Sequence, residues 1–299
     1  MVLELSSIVS LFILALSPMV PLLLGSVGEI IIEKAGVVNI GIEGVFLLSA
    51  LTSAMVSFFT GSLPLAIFVG VITGLGVGAI FAVIGVYLRG DQIVAGVGIN
   101  LLAYGIGVIA LFKTWNVFGA SPPVATIPKW VVAGHGVSPM APISVIIAVL
   151  AWFFLFRTNT GLKLRACGEE PRAAEAMGVN VMRMRLLATM LGSSLMGLAG
   201  AYLSIDWVGQ FTRQITAGRG FIALANVAFS GWNPITAIVG AFIFGFFEAL
   251  AIYLSISYAQ PTLGYVFRTI PYIGTLLVVM IFRSRGRAPA ALAKPYIKE

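Results

Sequence analysis

Long apolar stretches follow one another through almost the whole chain, with only short polar segments between them. A helix that crosses a bilayer needs about 20 mostly apolar residues, and helices are the default because an open sheet in lipid leaves backbone groups unpaired. Candidate spans lie near residues 8–32, 37–59, 64–88, 93–112, 142–157, 186–204, 219–232, 235–257 and 266–282. The pattern predicts an all-α, polytopic transmembrane helical bundle of about eight to nine spans, forming a single domain over residues 1–299.

The stretch 219–232 is the least regular of these segments. It contains Gly220 and Gly231, and Pro234 follows it closely. Its length is marginal for a full crossing, and a re-entrant half-helix is tolerated where protein or water covers the backbone. A short span and a re-entrant helix therefore both remain open here.

The composition agrees with a membrane protein. Of all residues, 59% are hydrophobic and 10% are charged, whereas a soluble domain has roughly 25% charged residues. Frequent glycines within the spans predict close helix packing in lipid. Four of them in one span are Gly70, Gly74, Gly76 and Gly78.

The net charge of +7 is concentrated in two places beside spans, which favours a topology signal over nucleic-acid binding. One is a polar island, residues 165–185, with its flank, and the other is the C-terminal segment 283–299. The basic residues of the first are Arg157, Lys163, Arg165, Arg172, Arg183 and Arg185, and those of the second are Arg283, Arg285, Arg287, Lys294 and Lys298. Because cytoplasmic loops carry an excess of Lys and Arg, we expect the island and a basic tail, 283–299, in the cytoplasm, and the segment 113–142 and the N-terminus outside.

The island contains the signals of a short helix. Pro171 fits the first helical position, Glu169 and Glu170 lie where a helix N-terminus favours anions, and Gly178 supplies a stop. A helix of about two turns is too short to be stable alone in water. Its surface would combine small apolar and charged side chains, namely Ala173, Ala174, Ala176 and Met177 beside Arg172 and Glu175. Such a surface favours docking to a soluble partner.

The sequence offers little for catalysis. It has no Gly-x-x-x-x-Gly-Lys-Ser/Thr phosphate loop, so ATP hydrolysis by the P-loop route is not expected of this chain. Its one histidine, His135, has no second His or Cys near it in the sequence, and its one cysteine, Cys167, cannot form an intramolecular disulfide. We predict no catalytic and no metal-ligating residues, and an energy source in a partner.

Polar side chains inside apolar helices need a reason, because an ionised group at the bilayer centre costs about 2.5 to 3.5 kcal/mol on insertion scales. Asn39 and Glu43 share one helix face among glycines, Asn100 lies in an apolar helix, and Glu248 is the deepest acid by hydropathy. Each of these residues could line a translocation path. Alternatively, it could hold two helices together by a buried hydrogen bond, which is a helix-locking role. Without a cationic partner, Glu248 would be protonated.

The island resembles the cytoplasmic coupling segment of bacterial ABC-importer permeases of the branched-chain amino acid, ribose and nucleoside type. In that family a Gly-Glu-x-Pro-x-Ala-Ala-x-x-x-Gly pattern forms the short helix that enters the ATPase subunit, and the chain matches it residue by residue. The resemblance implies a cytoplasmic coupling loop, residues 158–185. Its ATPase-coupling residues are Gly168, Glu169, Glu170, Pro171, Arg172, Ala173, Ala174, Glu175, Ala176, Met177 and Gly178.

Two further segments carry the resemblance, at 36–44 and 218–234. The first is similar to the family's Gly-x-x-Asn-x-x-x-Glu-Gly pattern, and the second to its Gly-x-Gly-Phe-x-x-x-Ala pattern with a following Gly-x-x-Pro turn. In the second, Phe221, Asn226 and Trp232, together with Phe229, would suit stacking on and hydrogen bonding to a flat heterocycle. Aromatic residues in membrane helices also serve as packing or interface anchors, so this alternative stays open.

Within the family, the resemblance is closest to the smaller permease of bacterial nucleoside importers. It implies a permease subunit of an ATP-driven ABC importer that forms the translocation path, with nucleosides as the expected cargo. Sugars, branched-chain amino acids and riboflavin remain open, because the matching motifs concern coupling and helix packing. The competing class is a self-sufficient secondary transporter or channel that uses Glu43 or Glu248 as a proton or cation site.

The resemblance also implies the assembly. The expected partners are ABC ATPase subunits, a second homologous permease in a hetero- or homodimer, an extracytoplasmic substrate-binding protein and membrane lipid. The chain itself would bind no cofactor, since ATP and Mg would be used by the partner ATPase. The implied location is the bacterial cytoplasmic (inner) membrane, with a cytoplasmic C-terminus.

Overall fold

The computed structural model describes residues 5–258, 266–267, 269–281 and 286–297. Arg283, Arg285 and Lys298 of the predicted tail lie outside the described residues. The helices are α1 Leu5–Lys34, α2 Ile42–Thr60, α3 Leu63–Ala82, α4 Gln92–Trp115, α5 Met140–Arg157, α6 Asn159–Glu169, α7 Pro171–Ala176, α8 Val181–Tyr202, α9 Arg219–Phe229, α10 Pro234–Tyr258 and α11 Ile270–Ile281. Two π-helical turns, Val83–Tyr87 and Leu203–Trp207, continue α3 and α8.

Seven helices of the described chain are long and apolar enough to cross a membrane. They are Val9–Lys34, Ile42–Thr60, Leu63–Tyr87, Gln92–Trp115, Met140–Arg157, Val181–Trp207 and Pro234–Tyr258. The predicted transmembrane helical bundle is therefore confirmed, although α9 is shorter than a full span. The sequence did not predict one feature, an antiparallel pair of strands, β1 Trp130–Val132 and β2 His135–Val137.

Helix α8 begins five residues before the predicted span, inside the polar island. The Asn180 side chain accepts a hydrogen bond of 2.9 Å from the Arg183 N–H and caps the helix. Arg185 is buried there and is paired with backbone carbonyls, so its charge does not end the helix. A span prediction based on hydropathy placed this start too late because it excluded the charged first turns.

Helices α1, α2 and α8 form the centre of the bundle, and glycines allow the neighbouring helices to approach them closely. A Cβ atom added to Gly74 would lie 2.3 Å from the Ser193 carbonyl oxygen of α8, and Gly70 and Gly78 are equally crowded. Gly76 differs, because an added Cβ would meet nothing within 4 Å. The prediction of close packing was thus wrong for Gly76, which lies on the other face of α3.

This difference provides a stability test within one helix. Gly74→Leu is expected to force α3 away from α8 and to destabilise the protein by several kcal/mol, since overpacking against backbone cannot relax. Gly76→Leu is the matched control and should leave the melting temperature of the purified protein close to that of the wild type. Equal losses at both positions would contradict the helix packing described here.

The bundle has two ends, which we call the loop end and the island end. At the loop end, Ser10 of α1 lies 2.9 Å from His135 Nε2 of β2, so this histidine has a side-chain partner. At the island end, a Cβ atom on Gly168 would lie 2.3 Å from the Lys34 carbonyl oxygen. Helix α1 therefore runs the full depth of the bundle.

Residues 208–232 pass from the loop end to the island end. The part before α9 consists of bends and turns and begins beside the segment 113–142, where the N–H groups of Ser121 and Val124 donate to the carbonyls of Phe211 and Gly209. Helix α9 follows, and the turn after it contains Trp232, whose indole N–H donates to Glu33 one residue before the end of α1. The segment is thus a broken crossing and not a re-entrant hairpin.

The C-terminal residues 286–297 lie at the same end as the island. The Ala291 N–H donates to the Gly168 carbonyl over 2.9 Å. This placement agrees with an even number of crossings after residue 185, formed by α8, the broken crossing, α10 and α11. The assignment of this end to the cytoplasm stays a prediction from the positive charges.

Candidate functional site

The short helix predicted in the island is present as α7, residues Pro171–Ala176. Pro171 occupies its first turn, and Gly178 adopts a φ of +80° just beyond its end. The N–H groups of Gly178 and Val179 donate to the carbonyls of Glu175 and Ala174 over 2.8 and 3.0 Å. These bonds close the helix in the manner of a C-terminal glycine cap.

Helix α7 buries one face and exposes the other. Ala174 is buried against Cys167 of α6 and Val181 of α8. The side chains of Arg172, Ala173, Ala176 and Met177 are exposed, and Met177 is 85% accessible. Ala173, Ala176 and Met177, three of the predicted ATPase-coupling residues, thus form a small apolar ridge on the surface of the island end, whereas Gly168 and Ala174 are buried. Their docking role stays a prediction.

A rigid support holds this ridge. Gly168 lets α6 lie directly on the backbone at the end of α1. The buried Arg185 of α8 donates to the Cys167 carbonyl over 3.3 Å. Burial also raises the pKa of the Cys167 thiol to about 11, and a protonated buried thiol is a poor nucleophile. Cys167 is therefore part of the packing under α7.

Glu43 lies where α2 meets the beginning of α9. Both of its carboxylate oxygens accept hydrogen bonds of 2.7 Å, one from the Gly218 N–H and one from the Gly220 N–H. The side chain is only 1% exposed. A carboxylate at a helix N-terminus satisfies amides that have no partner within the helix. The arrangement is a helix-locking contact.

Asn39 and Asn100 hold the segment between α1 and α2. The Asn100 side chain accepts from the Gly44 N–H over 2.7 Å and donates to the Ile40 carbonyl over 3.1 Å. The Asn39 side chain accepts from the Gly41 N–H over 2.9 Å. Both asparagines are buried. Their geometry fits helix-locking better than exposure to a path.

Phe221, Asn226 and Trp232, which with Phe229 were predicted to stack on or hydrogen-bond to a heterocycle, are not brought together. Asn226 is fully buried, and its amide donates to Ser26 and to the Ala237 carbonyl over 2.9 and 3.1 Å. Trp232 donates to Glu33, whereas Phe221 is half exposed on the surface of α9. The residues therefore do not line one wall.

Two buried acids of α1, Glu29 and Glu33, were not predicted as site residues. They lie one helical turn apart, and the Glu29 carboxylate accepts a hydrogen bond of 2.7 Å from the Asn39 N–H. Their i, i+4 spacing within an apolar stretch was a visible signal. They tie α1 to the turn before α2 and to the turn after α9.

Glu248 of α10 forms an ion pair with Arg219 of α9. The same guanidinium lies 4.3 Å from the Trp207 ring centroid and donates to the Ile215 carbonyl over 2.8 Å. Glu248 therefore has a cationic partner inside the bundle, which was not predicted from the sequence.

A cavity of about 460 Å³ lies beside this ion pair, between α9, α10 and α11. Its wall is mainly apolar, with Ile222, Ile252 and Tyr272 among the lining residues. The Tyr272 hydroxyl donates to the Ala217 carbonyl over 3.1 Å, at the turn before α9. The cavity thus lies where the turns of the broken crossing lead into α9.

Residues 11–279 match the family model described as the permease component of the branched-chain amino acid transport system, and the chain belongs to this family. It is a multi-pass ABC transporter permease.

Related proteins match over nearly the full length. The guanosine permease NupQ of Bacillus subtilis is 34% identical, and the nucleoside permease NupC of Lactococcus lactis is 33% identical, each over 93% of both chains. TsgC13 of Haloferax volcanii, provisionally named a glucose ABC transporter permease, is 33% identical over 93% of this chain and 94% of its own.

One solved structure is similar to the fold. It shows an inward-facing ABC transporter, provisionally assigned to the metal-chelate type, with a TM-score of 0.55 and 17% sequence identity. The match covers 91% of this chain and 85% of the other. The helical arrangement is thus that of an ABC transporter membrane subunit.

Proposed function

We propose that this chain is a permease subunit of a bacterial nucleoside importer, located in the cytoplasmic membrane with its island end and C-terminus in the cytoplasm. ATPase subunits dock on α7, a second homologous permease completes the path, and an extracytoplasmic binding protein delivers the substrate. ATP and Mg are used by the ATPase, and this chain binds neither. The observation that carries the proposal is the exposed ridge of α7, displayed on a rigid support in a chain similar to nucleoside permeases.

The contacts of α7 suggest how movement would reach the path. Helix α7 rests on α6 and α8, α6 packs on the end of α1, and α8 lies at the centre of the bundle. Closure of the ATPases would displace α7 and tilt these helices together. Because Glu43 joins α2 to the start of α9, the broken crossing would follow, and the path would open alternately to the two sides.

The described spans support an uncharged cargo. Several of their polar groups form hydrogen bonds between helices, and Arg219 and Glu248 form an ion pair. A path without a row of fixed charges suits a neutral substrate such as a nucleoside or a sugar. NupQ and NupC favour nucleosides, whereas TsgC13 keeps a sugar as the second candidate.

Competition for uptake distinguishes the two cargoes. We expect uptake of labelled guanosine by cells carrying the complete transporter to fall at least about tenfold when unlabelled nucleosides are present in excess. Glucose at the same concentration should leave it unchanged. Binding of each compound to the purified cognate binding protein, measured by calorimetry, provides the control. Glucose uptake that nucleosides do not inhibit would assign a sugar importer instead.

A further inference from the structure

The C-terminal tail, here residues 286–297, folds back along the island end and contacts α6 through its backbone. The Ala291 N–H donates to the Gly168 carbonyl over 2.9 Å, and the Ala290 N–H donates to the Glu169 carboxylate over 3.2 Å. Gly168 and Glu169 are the first two residues of the coupling pattern. The tail therefore lies directly against the base of α7.

Helix α8 holds the same tail through Arg185. Its guanidinium donates to the Lys294 carbonyl over 2.9 Å and to the Cys167 carbonyl over 3.3 Å. Arg185 is only 2% exposed, and hydrogen bonds from a buried cation are worth more than those between neutral groups. One buried side chain thus joins the tail, α6 and α8.

Tyr296 connects the tail to α7 itself. Its hydroxyl donates to the Glu175 carboxylate, in the last turn of α7. Tyr296 is 8% exposed and packs with Cys167 of α6, Ala174 of α7 and Val181 of α8 in the apolar cluster on the buried side of α7. Tyr296 also forms part of the wall of a groove of about 280 Å³ beside α7.

These contacts matter because a six-residue helix has little stability of its own. Its orientation must come from its surroundings, and two of the contacts that orient it are the burial of Ala174 and the hydrogen bond from Tyr296 to Glu175. The first fixes the base of the helix and the second fixes its last turn. Without the second, α7 could pivot on Ala174 when force is applied to its exposed ridge.

We propose that Tyr296 is a positioning residue for coupling: the C-terminal tail is a strap that fixes the angle of α7, so that movement of the ATPase passes to α6 and α8. The inference rests on the proposed function of α7 as the ATPase contact. In this arrangement Tyr296 touches no substrate. It determines how much of each ATPase movement reaches the spans.

The accessibility of the Cys167 thiol can be used to test whether Tyr296 covers the cluster beneath α7. It is the only cysteine in the chain and is fully buried beside Tyr296. We expect slow labelling of the wild-type permease by a maleimide. Tyr296→Ala removes the covering ring and should increase the labelling rate about tenfold or more. Tyr296→Phe keeps the ring and should leave the rate within about twofold of the wild type.

Coupling is tested on the complete transporter in proteoliposomes, as uptake per ATP hydrolysed. Tyr296→Phe and Glu175→Gln are each expected to reduce this ratio at least about threefold, and the double variant should lose no more than either alone, because the two groups act as one contact. Tyr258→Phe, in α10 at the loop end, is the control with an unchanged ratio.

The possible results distinguish failure of the strap proposal from failure of the proposed function. Unchanged uptake per ATP in both single variants, in a wild type that transports, would overturn the positioning role and leave the proposed function intact. Rapid labelling of Cys167 in the wild type would also overturn the strap. ATP-independent uptake by the wild type would instead refute the proposed function itself.

Discussion

Replacing Met177 with glutamate is expected to abolish association of the ATPase subunits and, with it, nucleoside uptake. Met177 is 85% exposed and ends the apolar ridge of α7, so the change removes no contact within the permease. It does place a charge on the proposed ATPase-binding surface. Changes at such anchor positions typically cost about 2 kcal/mol or more, which weakens binding roughly 30-fold.

Co-purification of tagged ATPase with the permease measures this effect, and the melting temperature of the permease alone verifies folding. Leu162→Glu is the matched control, because Leu162 is 57% exposed on α6 and lies outside α7. It adds the same charge at the same end of the bundle and should leave the complex assembled. Normal complex formation by Met177→Glu would show that the ATPase does not dock on α7.

Glu43→Ala is expected to destabilise the protein and to stop transport together. The change leaves the Gly218 and Gly220 amides buried without their acceptor. Each unsatisfied buried group costs about 1 to 3 kcal/mol. The start of α9 should then separate from α2. A lower melting temperature and faster proteolysis between residues 208 and 219 are the expected measurements.

Asp91 offers a matched control in the same chain. Its carboxylate also accepts two backbone hydrogen bonds, from Ile93 and Val94 over 2.8 and 3.0 Å, but at an exposed helix start. Water can replace it there, so Asp91→Ala should cost about 1 kcal/mol. If Glu43→Ala stopped transport without any loss of stability, Glu43 would belong to the substrate path and not to a helix-locking contact.

The local features of the coupling loop could be predicted because their causes are local. Pro171 begins α7 and Gly178 ends it through their own backbone preferences. The spans were predictable for a similar reason, since bilayer thickness fixes the length of an apolar helix. The starts of α8 and α2 were each misplaced by five residues. Helix α8 begins earlier than predicted because a capping asparagine and a buried arginine outweighed the hydropathy. Helix α2 begins later, at Ile42, because residues 35–41 form turns, so Asn39 does not share a helix face with Glu43.

The contacts between distant residues could not be predicted from one sequence. Glu43 lies 175 residues before Gly218, and Tyr296 lies 121 residues after Glu175. No periodicity or propensity links such pairs. Arg219 and Glu248 were visible as charges in apolar surroundings, but their pairing depends on the turns before α9, which carry no pattern of their own.

For the same reason, the sequence could not decide whether Asn100 and Asn226 line a translocation path or hold helices together. An amide inside an apolar helix is equally suited to a neighbouring backbone and to a substrate. The structure gives Asn100 and Asn226 partners in other helices. Their burial could not be predicted without the positions of those helices, because hydropathy gives the depth of a residue in the membrane and not the direction it faces.

ATP dependence of reconstituted transport tests the central claim most directly. The permease complex, with its binding protein, is incorporated into proteoliposomes with and without the ATPase subunits, and uptake of labelled guanosine is followed. We predict accumulation against a gradient only when the ATPase subunits and hydrolysable ATP are both present. Accumulation by the permease alone, driven by a proton or sodium gradient, would contradict the account and assign a secondary transporter.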